Sequence, residues 1–182
     1  MPLTTRTIKM AVHAWFFREG ATITLPVAGT AAAETCPDAD DPAWISLGPV
    51  TQTDLQETAG EEIEAWSPVL GQLRRTDIKY VKPKVDLDFT VNQISALAFQ
   101  LMFRTEALAG STNEAINPLE GMNSKGWLQM QAYDEDDDLV WNLRIWCSLK
   151  VNGSVTLDPG KLFEVKLAAK GLHSSLNSGT VA

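Results

Sequence analysis

The sequence has few of the residues that most often carry catalysis or bind metal ions. It contains two cysteines and two histidines in 182 residues. Cys36 and Cys147 lie far apart and outside any CxxC pair, which excludes a disulfide framework and fits a reducing compartment. His13 and His173 belong to no HExxH or HxH pattern, so neither has a catalytic or metal-binding context. We predict no catalytic residue, no metal site and no cofactor.

Sequence motifs for phosphate binding, acyl transfer and membrane crossing are also missing. Gly121–Gly126 has the spacing of a phosphate-binding loop, but Trp127 follows where lysine is required. The sequence has no GxSxG elbow. No window approaches the roughly 18 apolar residues of a transmembrane helix, and Met10–Phe17 is too short for a signal-peptide core. We therefore predict a protein that is not an enzyme, is made in the cytoplasm and does not insert into membranes.

The apolar content is high enough for one packed domain. Hydrophobic residues make up 45% of the chain, with six Trp and six Phe among them, so a disordered chain is not expected. The formal net charge is −8. An acidic surface repels phosphates, which argues against a protein that grips DNA but not against one that DNA slides past.

Alternation of apolar and polar residues predicts a mainly β protein with antiparallel strands. The pattern is clearest after Lys79, and the Asn152-Gly153 pair indicates a tight hairpin turn. Predicted strands are His13–Phe17, Ala21–Val27, Ala43–Val50, Val81–Phe89, Gly126–Tyr133, Trp141–Lys150, Ser154–Leu157 and Phe163–Lys170. The expected fold is an antiparallel β-barrel or β-sandwich.

Two segments depart from this alternation. Apolar residues at helical spacing from Ile94 to Met102 predict one flanking α-helix over about residues 90–109, and Thr90 with Gln93 forms a capping box at its start. The stretch over about residues 51–80 is polar and has no clean period, so we predict a long loop there. A loop without a core of its own requires a surface to order it. A domain is expected at residues 43–172. Residues 1–42 are expected to form an N-terminal arm or strands that either belong to this domain or contact another subunit, and residues 173–182 a flexible tail.

Two surface features are candidates for contact sites. The acidic run Asp134–Asp138 does not fit a calcium loop, because Leu139 stands where glycine is needed and Ile145 where glutamate is needed. It is interpreted as a solvated turn or as an acidic surface that faces a partner or lines a pore. Trp146 falls on the polar face of its strand, which predicts contact with a loop, an arm or another subunit. The alternative is a single exposed aromatic residue without a role.

The order of these elements resembles that of the major tail tube proteins of long-tailed bacteriophages. The segments that carry the resemblance are AWISLGPV (Ala43–Val50), VDLDFTVNQISALAFQLMF (Val85–Phe103) and the strand-rich stretch Gly126–Leu172. A strand, a long loop, a strand leading into a helix and a run of hairpins follow one another in the same order. The resemblance covers about residues 43–172.

The resemblance implies that six subunits form a ring, that rings stack into a hollow tail tube, and that double-stranded DNA passes through an acidic lumen. It further implies a place in the virion tail, other tail proteins at the tube ends, and a long loop that reaches a neighbouring subunit or ring. The residues expected to make contacts between subunits are Leu55, Trp66, Leu70, Arg74, Arg75 and Trp146, and those expected at an acidic lumen or turn are Asp134, Glu135, Asp136, Asp137 and Asp138.

Two other functions stay open. One is a different ring-forming component, such as a tail terminator, a connector or a secretion-tube protein. The other is a carbohydrate-binding β-sandwich, which would display clustered exposed aromatic residues.

Overall fold

Strands dominate the fold. The structure, a computed structural model, describes residues 11–58, 61–69, 72–81, 84–93, 96–103, 124–153 and 164–181. In chain order its elements are β1 (Ala11–Arg18), β2 (Thr22–Ile23), β3 (Gly29–Thr30), β4 (Ile45–Thr58), β5 (Glu61–Val69), β6 (Gln72–Val81), β7 (Lys84–Val91), α1 (Ala96–Phe103), β8 (Lys125–Tyr133), β9 (Leu139–Val151), β10 (Val165–Gly171) and β11 (Ser178–Val181).

Six of these strands close into an antiparallel barrel in the order β1-β4-β7-β10-β9-β8. The long strand β9 makes the closure possible because two different strands share one of its edges. Its first part, Trp141–Arg144, pairs with β11, and its second part, Cys147–Val151, pairs with β10. The predicted mainly β, antiparallel barrel is confirmed.

Period-2 alternation fills the barrel interior. On β7, Leu87, Phe89 and Val91 are buried in the main core while Asp86 and Asp88 are only partly covered. The same rule places Val165, Leu167 and Ala169 of β10 inside the barrel. Each large apolar side chain that leaves water in this way contributes roughly 1.5–3 kcal/mol, so the interior of the barrel is the main source of its stability.

The strand predicted over Ala43–Val50 does not end at Val50. Gly48 has a φ of 102°, a left-handed conformation that glycine adopts without the strain of a side chain. The β1–β4 register shifts beside it, between Ala14 and Trp15, as expected at a β-bulge. Pro49 lies opposite His13 in this ladder, and the strand continues to Thr58.

Helix α1 contributes apolar side chains to the barrel core. Leu97 and Leu101 are buried in the same cluster as the interior residues of the strands, and the Gln100 side-chain oxygen accepts a hydrogen bond from Arg18 at the end of β1. Within the span predicted as helix, Thr90 and Val91 belong to β7. Residues 104–109 of that span lie outside the described residues.

Two irregular segments of the prediction contain strands instead. The stretch predicted as a long loop holds the end of β4, all of β5 and most of β6. Both faces of this part carry polar residues, so it lacks the alternation by which half-buried strands are recognised. The expected C-terminal tail contains β11, which pairs with β9. At the other end of the chain, β1 lies between β4 and β8, so residues of the predicted N-terminal arm form a wall of the barrel.

Candidate assembly surface

One end of the barrel gathers most of the features predicted to make contacts. Because the strands are antiparallel, β4 ends there, β7 begins there, and the turn between β8 and β9 lies at the same end. We call this the hairpin end and define it by Thr58, Lys84, Tyr133, Leu139 and Gly171. The opposite end holds the start of β4 and the residues that lead from β7 to α1.

Strands β5 and β6 form a hairpin that continues the β4–β7 ladder. The last pair of β4–β7 is Thr58 with Lys84, and three residues further along each strand the pair is Glu61 with Val81. The register is therefore the same in both ladders. Nine paired positions at about 3.3 Å per residue give the β5–β6 part a length of roughly 30 Å.

This hairpin forms a two-stranded sheet by itself. Among the described residues no third strand joins either β5 or β6. An isolated two-stranded hairpin is only marginally stable in water, so a hairpin of this length is expected to gain stability from a further surface. It carries three of the predicted contact residues, Trp66, Arg74 and Arg75. Trp66 lies opposite Arg75, and Arg74 lies opposite Ser67. Leu70, a fourth, lies outside the described residues.

Exposed apolar side chains also lie at the hairpin end. Leu55 lies opposite Leu87, a barrel-core residue, yet it is 60% exposed. Val85 and Leu139 at the same end are each 39% exposed. Val85 also lines an open groove of about 430 Å³, together with Leu143, Ile145 and Leu172. Exposed apolar side chains beside a groove are candidates for a contact surface.

The acidic run Asp134–Asp138 forms the turn between β8 and β9 at the hairpin end. The Asp134 carboxylate accepts hydrogen bonds from the backbone N–H groups of Asp136 and Asp138, both at 3.0 Å. Asp137 adopts a φ of 62°, a left-handed conformation that Asp tolerates better than most residues. The side chain of Asp134 thus organises the turn, while Glu135, Asp136, Asp137 and Asp138 are exposed.

Trp146 is 4% exposed, because a segment of the same chain covers it, which is one of the contacts predicted for a large aromatic residue on the polar face of this strand. It packs in a second core on the outer face of the barrel, together with Phe17 and Trp127. The rings of Trp127 and Trp146 lie 5.5 Å apart. Residues of the segment between β1 and β4, among them Ile23 and Ala31, cover this core. The partner of Trp146 is an arm of its own chain.

Hydrogen bonds hold this covering segment in place. The Trp127 indole N–H donates to the backbone oxygens of Ala32 and Thr35, at 2.9 and 3.1 Å. The Ser174 hydroxyl donates to the Ala33 oxygen at 2.5 Å. The Asn177 side-chain oxygen accepts from the backbone N–H of Trp146 at 2.7 Å. Residues from both ends of the chain are therefore joined over the aromatic core.

Asp41 is the central polar group of the covering segment. Its carboxylate accepts hydrogen bonds from the backbone N–H groups of Thr24, Leu25 and Ala43, at 2.7, 2.8 and 2.9 Å, and from the Thr24 hydroxyl at 3.1 Å. Burial alone would raise the pKa of Asp41, but these donors stabilise the ionised form more strongly and the pKa is lowered. Asp41 is 3% exposed, so its role is structural.

The described residues contain no group of three or more His, Cys, Asp or Glu side chains placed to hold a metal ion. Burial raises the pKa of the Cys147 thiol, which disfavours the reactive thiolate. Within the same residues, no helix is long and apolar enough to span a membrane.

Neither a search of protein-family models nor a search of curated proteins finds a match to this chain.

Proposed function

We propose that this chain is the structural subunit of a phage tail tube. Six copies form a ring, rings stack into a hollow tube, and genomic DNA passes through the tube without being bound specifically. The resemblance in element order supports this proposal, and so do the two-stranded hairpin and the exposed apolar residues at one end of the barrel.

The observation that carries the proposal is the β5–β6 hairpin. It extends the β4–β7 ladder by roughly 30 Å at 3.3 Å per residue, and its two-stranded sheet has no third strand among the described residues. Sheet edges of this length usually acquire a partner or invite aggregation. Partners supplied by identical neighbours in a closed ring satisfy such edges without an open-ended aggregate.

The exposed apolar residues at the hairpin end fit contacts between successive rings. Leu55, Val85 and Leu139 are exposed at this end, and at the opposite end Ile45 is 37% exposed. Exposed apolar residues at both ends of one subunit suit head-to-tail stacking, which is a heterologous contact. The exposed acids Glu135–Asp138 would repel DNA phosphates if they face the lumen.

The same features fit a terminator, a connector or a secretion-tube protein less well. A single ring has no use for stacking surfaces at both ends. A secretion tube is expected to be compact, without a long projecting hairpin. The carbohydrate-binding alternative loses support because Trp146, the aromatic residue predicted on a polar strand face, is buried.

Sedimentation velocity over a range of protein concentrations tests the proposal. We expect the wild-type chain to form large species as its concentration rises. A variant in which an Asn-Gly turn replaces Glu61–Val81 keeps the hairpin register and should retain its circular dichroism spectrum while remaining monomeric. A wild-type chain that stays monomeric at every concentration and salt, or a shortened variant that assembles like the wild type, would contradict the proposal.

A further inference from the structure

The chain that leaves β9 turns at the pair Asn152-Gly153. Both residues are exposed, and the Asn152 backbone N–H donates a hydrogen bond to the Lys166 oxygen at 2.8 Å. Gly153 has a φ of 92°, and a Cβ atom added there would meet no atom within 4 Å. The pair is therefore fixed to the barrel on one side and open to solvent on the other.

Two groups of this pair that can react with each other have no other partner. Neither the side-chain amide of Asn152 nor the backbone N–H of Gly153 makes a hydrogen bond within the described part of the chain. Attack of the Gly153 nitrogen on Cγ of Asn152 closes a five-membered ring. Glycine favours this closure because it has no side chain to obstruct the approach and a wide range of backbone conformations.

We propose that Asn152 is a site of spontaneous deamidation. The Gly153 backbone nitrogen gives its proton to water or hydroxide and forms a bond to Cγ of Asn152. The bond between Cγ and Nδ2 then breaks, and Nδ2 takes its electron pair and a proton from water and leaves as ammonia. A succinimide remains. Water adds to one of its two carbonyl groups, which gives either aspartate or isoaspartate at position 152.

This reaction requires only water, and the proposal does not depend on the proposed function. In the isoaspartate product the main chain runs through Cβ and Cγ of residue 152. The turn is then longer by one methylene group, whereas the aspartate product keeps the original main chain. Both products carry a carboxylate where the unmodified chain has a neutral amide.

A second exposed asparagine shows how the fold protects such a residue elsewhere. Asn177 is followed by Ser178, another small residue, and is exposed as Asn152 is. Its side-chain oxygen accepts a hydrogen bond from the Trp146 N–H at 2.7 Å, and its NH2 group donates to the Leu172 oxygen at 3.0 Å. Ring closure at Asn177 would break both bonds. Folding therefore suppresses the reaction at Asn177 and leaves Asn152 without such protection.

Deamidation changes the charge of a polar groove on the outer face of the barrel. Asn152 lines this groove of about 170 Å³ together with Asp54, Asp88 and Lys166, and Asp54 lies opposite Asp88 in the β4–β7 ladder. The reaction places a third carboxylate near these two and the lysine. Modified and unmodified chains then differ by one negative charge on this surface.

Peptide mapping by mass spectrometry after incubation at mildly alkaline pH tests the proposal. The folded wild-type chain is incubated beside the same chain unfolded in guanidinium chloride, and deamidation is measured at Asn152 and Asn177. We expect Asn152 to give aspartate and isoaspartate to a similar extent in both samples. The two hydrogen bonds of Asn177 should make its conversion roughly tenfold slower in the folded sample than in the unfolded one.

The variant Asn152→Gln is the matched control. It keeps an amide, but its cyclisation requires a six-membered ring, which closes much more slowly. Anion-exchange chromatography of the ageing wild-type chain should show a more acidic species that this variant lacks. An acidic species that forms equally fast in the variant would overturn the proposal. So would an Asn152 that stays intact in the folded wild-type chain while it converts in guanidinium chloride.

Discussion

Replacing Asp41 with asparagine should destabilise the fold strongly, although the two side chains have nearly the same size. The carboxylate accepts four hydrogen bonds, three of them from backbone N–H groups. Three of the four donors bind Oδ2, so an asparagine oxygen in that place keeps those bonds while its NH2 group faces the remaining donor, the backbone N–H of Ala43. Hydrogen bonds to a charged group contribute about 1.5–3 kcal/mol each, and a buried donor left without an acceptor costs about 1–3 kcal/mol. We expect a loss of about 3 kcal/mol.

Urea unfolding followed by tryptophan fluorescence measures this loss. Trp127 donates hydrogen bonds to the covering segment, so its emission reports the release of that segment. With a urea slope of about 2–3 kcal/mol/M, a loss of about 3 kcal/mol lowers the midpoint by about 1 M. The matched control is Asp40→Asn, one residue away at an exposed position, and it should change the free energy of unfolding by less than about 0.5 kcal/mol. Equal midpoints for the two variants would refute the role assigned to Asp41.

The same variant makes a prediction about pH. Because the pKa of Asp41 is lowered in the folded state, its ionisation stabilises the fold fully above the unfolded-state pKa of about 4. That contribution is lost as the pH falls through the lowered folded-state pKa. The difference in stability between the wild type and Asp41→Asn should therefore be constant near neutral pH and narrow below about pH 4. A difference that widens in acid would contradict the assignment.

Three further predictions follow from burial and exposure. Trp146→Ala should cost about 3–5 kcal/mol in urea unfolding, whereas Leu55→Ala should cost less than about 1 kcal/mol; similar losses at both positions would contradict the burial described. Cys147, whose buried thiol has a raised pKa, should resist a thiol reagent at pH 8 for as long as the chain stays folded, and mass spectrometry showing rapid labelling there would be evidence against this packing. Calcium should not change the melting temperature of the wild type or of the double variant Asp136→Ala, Asp138→Ala. A rise with calcium in the wild type alone would indicate a metal site.

Alternation predicted the barrel strands well where one face meets the core and the other meets solvent. On β10 the apolar residues Val165 and Leu167 are buried while Lys166 is exposed, as the sequence pattern indicates. Alternation assigned Trp127 and Trp146 to the polar faces of β8 and β9, although both faces are buried in that row, because alternation distinguishes two faces without saying what covers each. The large aromatic side chain of Trp146 on that face was the signal that predicted contact with a loop or an arm.

The sequence indicated that residues 51–80 are unusual but did not predict the strands that they form. Residues 51–80 were identified as unusual because they lack an apolar core, and the same lack concealed their strands. A hairpin with polar residues on both faces has no alternation of apolar and polar residues. The register of its pairing continues that of β4 and β7. The ordering of the C-terminal residues depends on single hydrogen bonds, such as that between Asn177 and the Trp146 backbone. No local sequence pattern predicts such contacts.

Negative-stain electron microscopy of the concentrated wild-type protein tests the central claim most directly. We predict rings with six-fold symmetry in end views and hollow tubes of stacked rings in side views. Dispersed monomers at all protein and salt concentrations, or rings that never stack, would contradict the claim that this chain builds a tube.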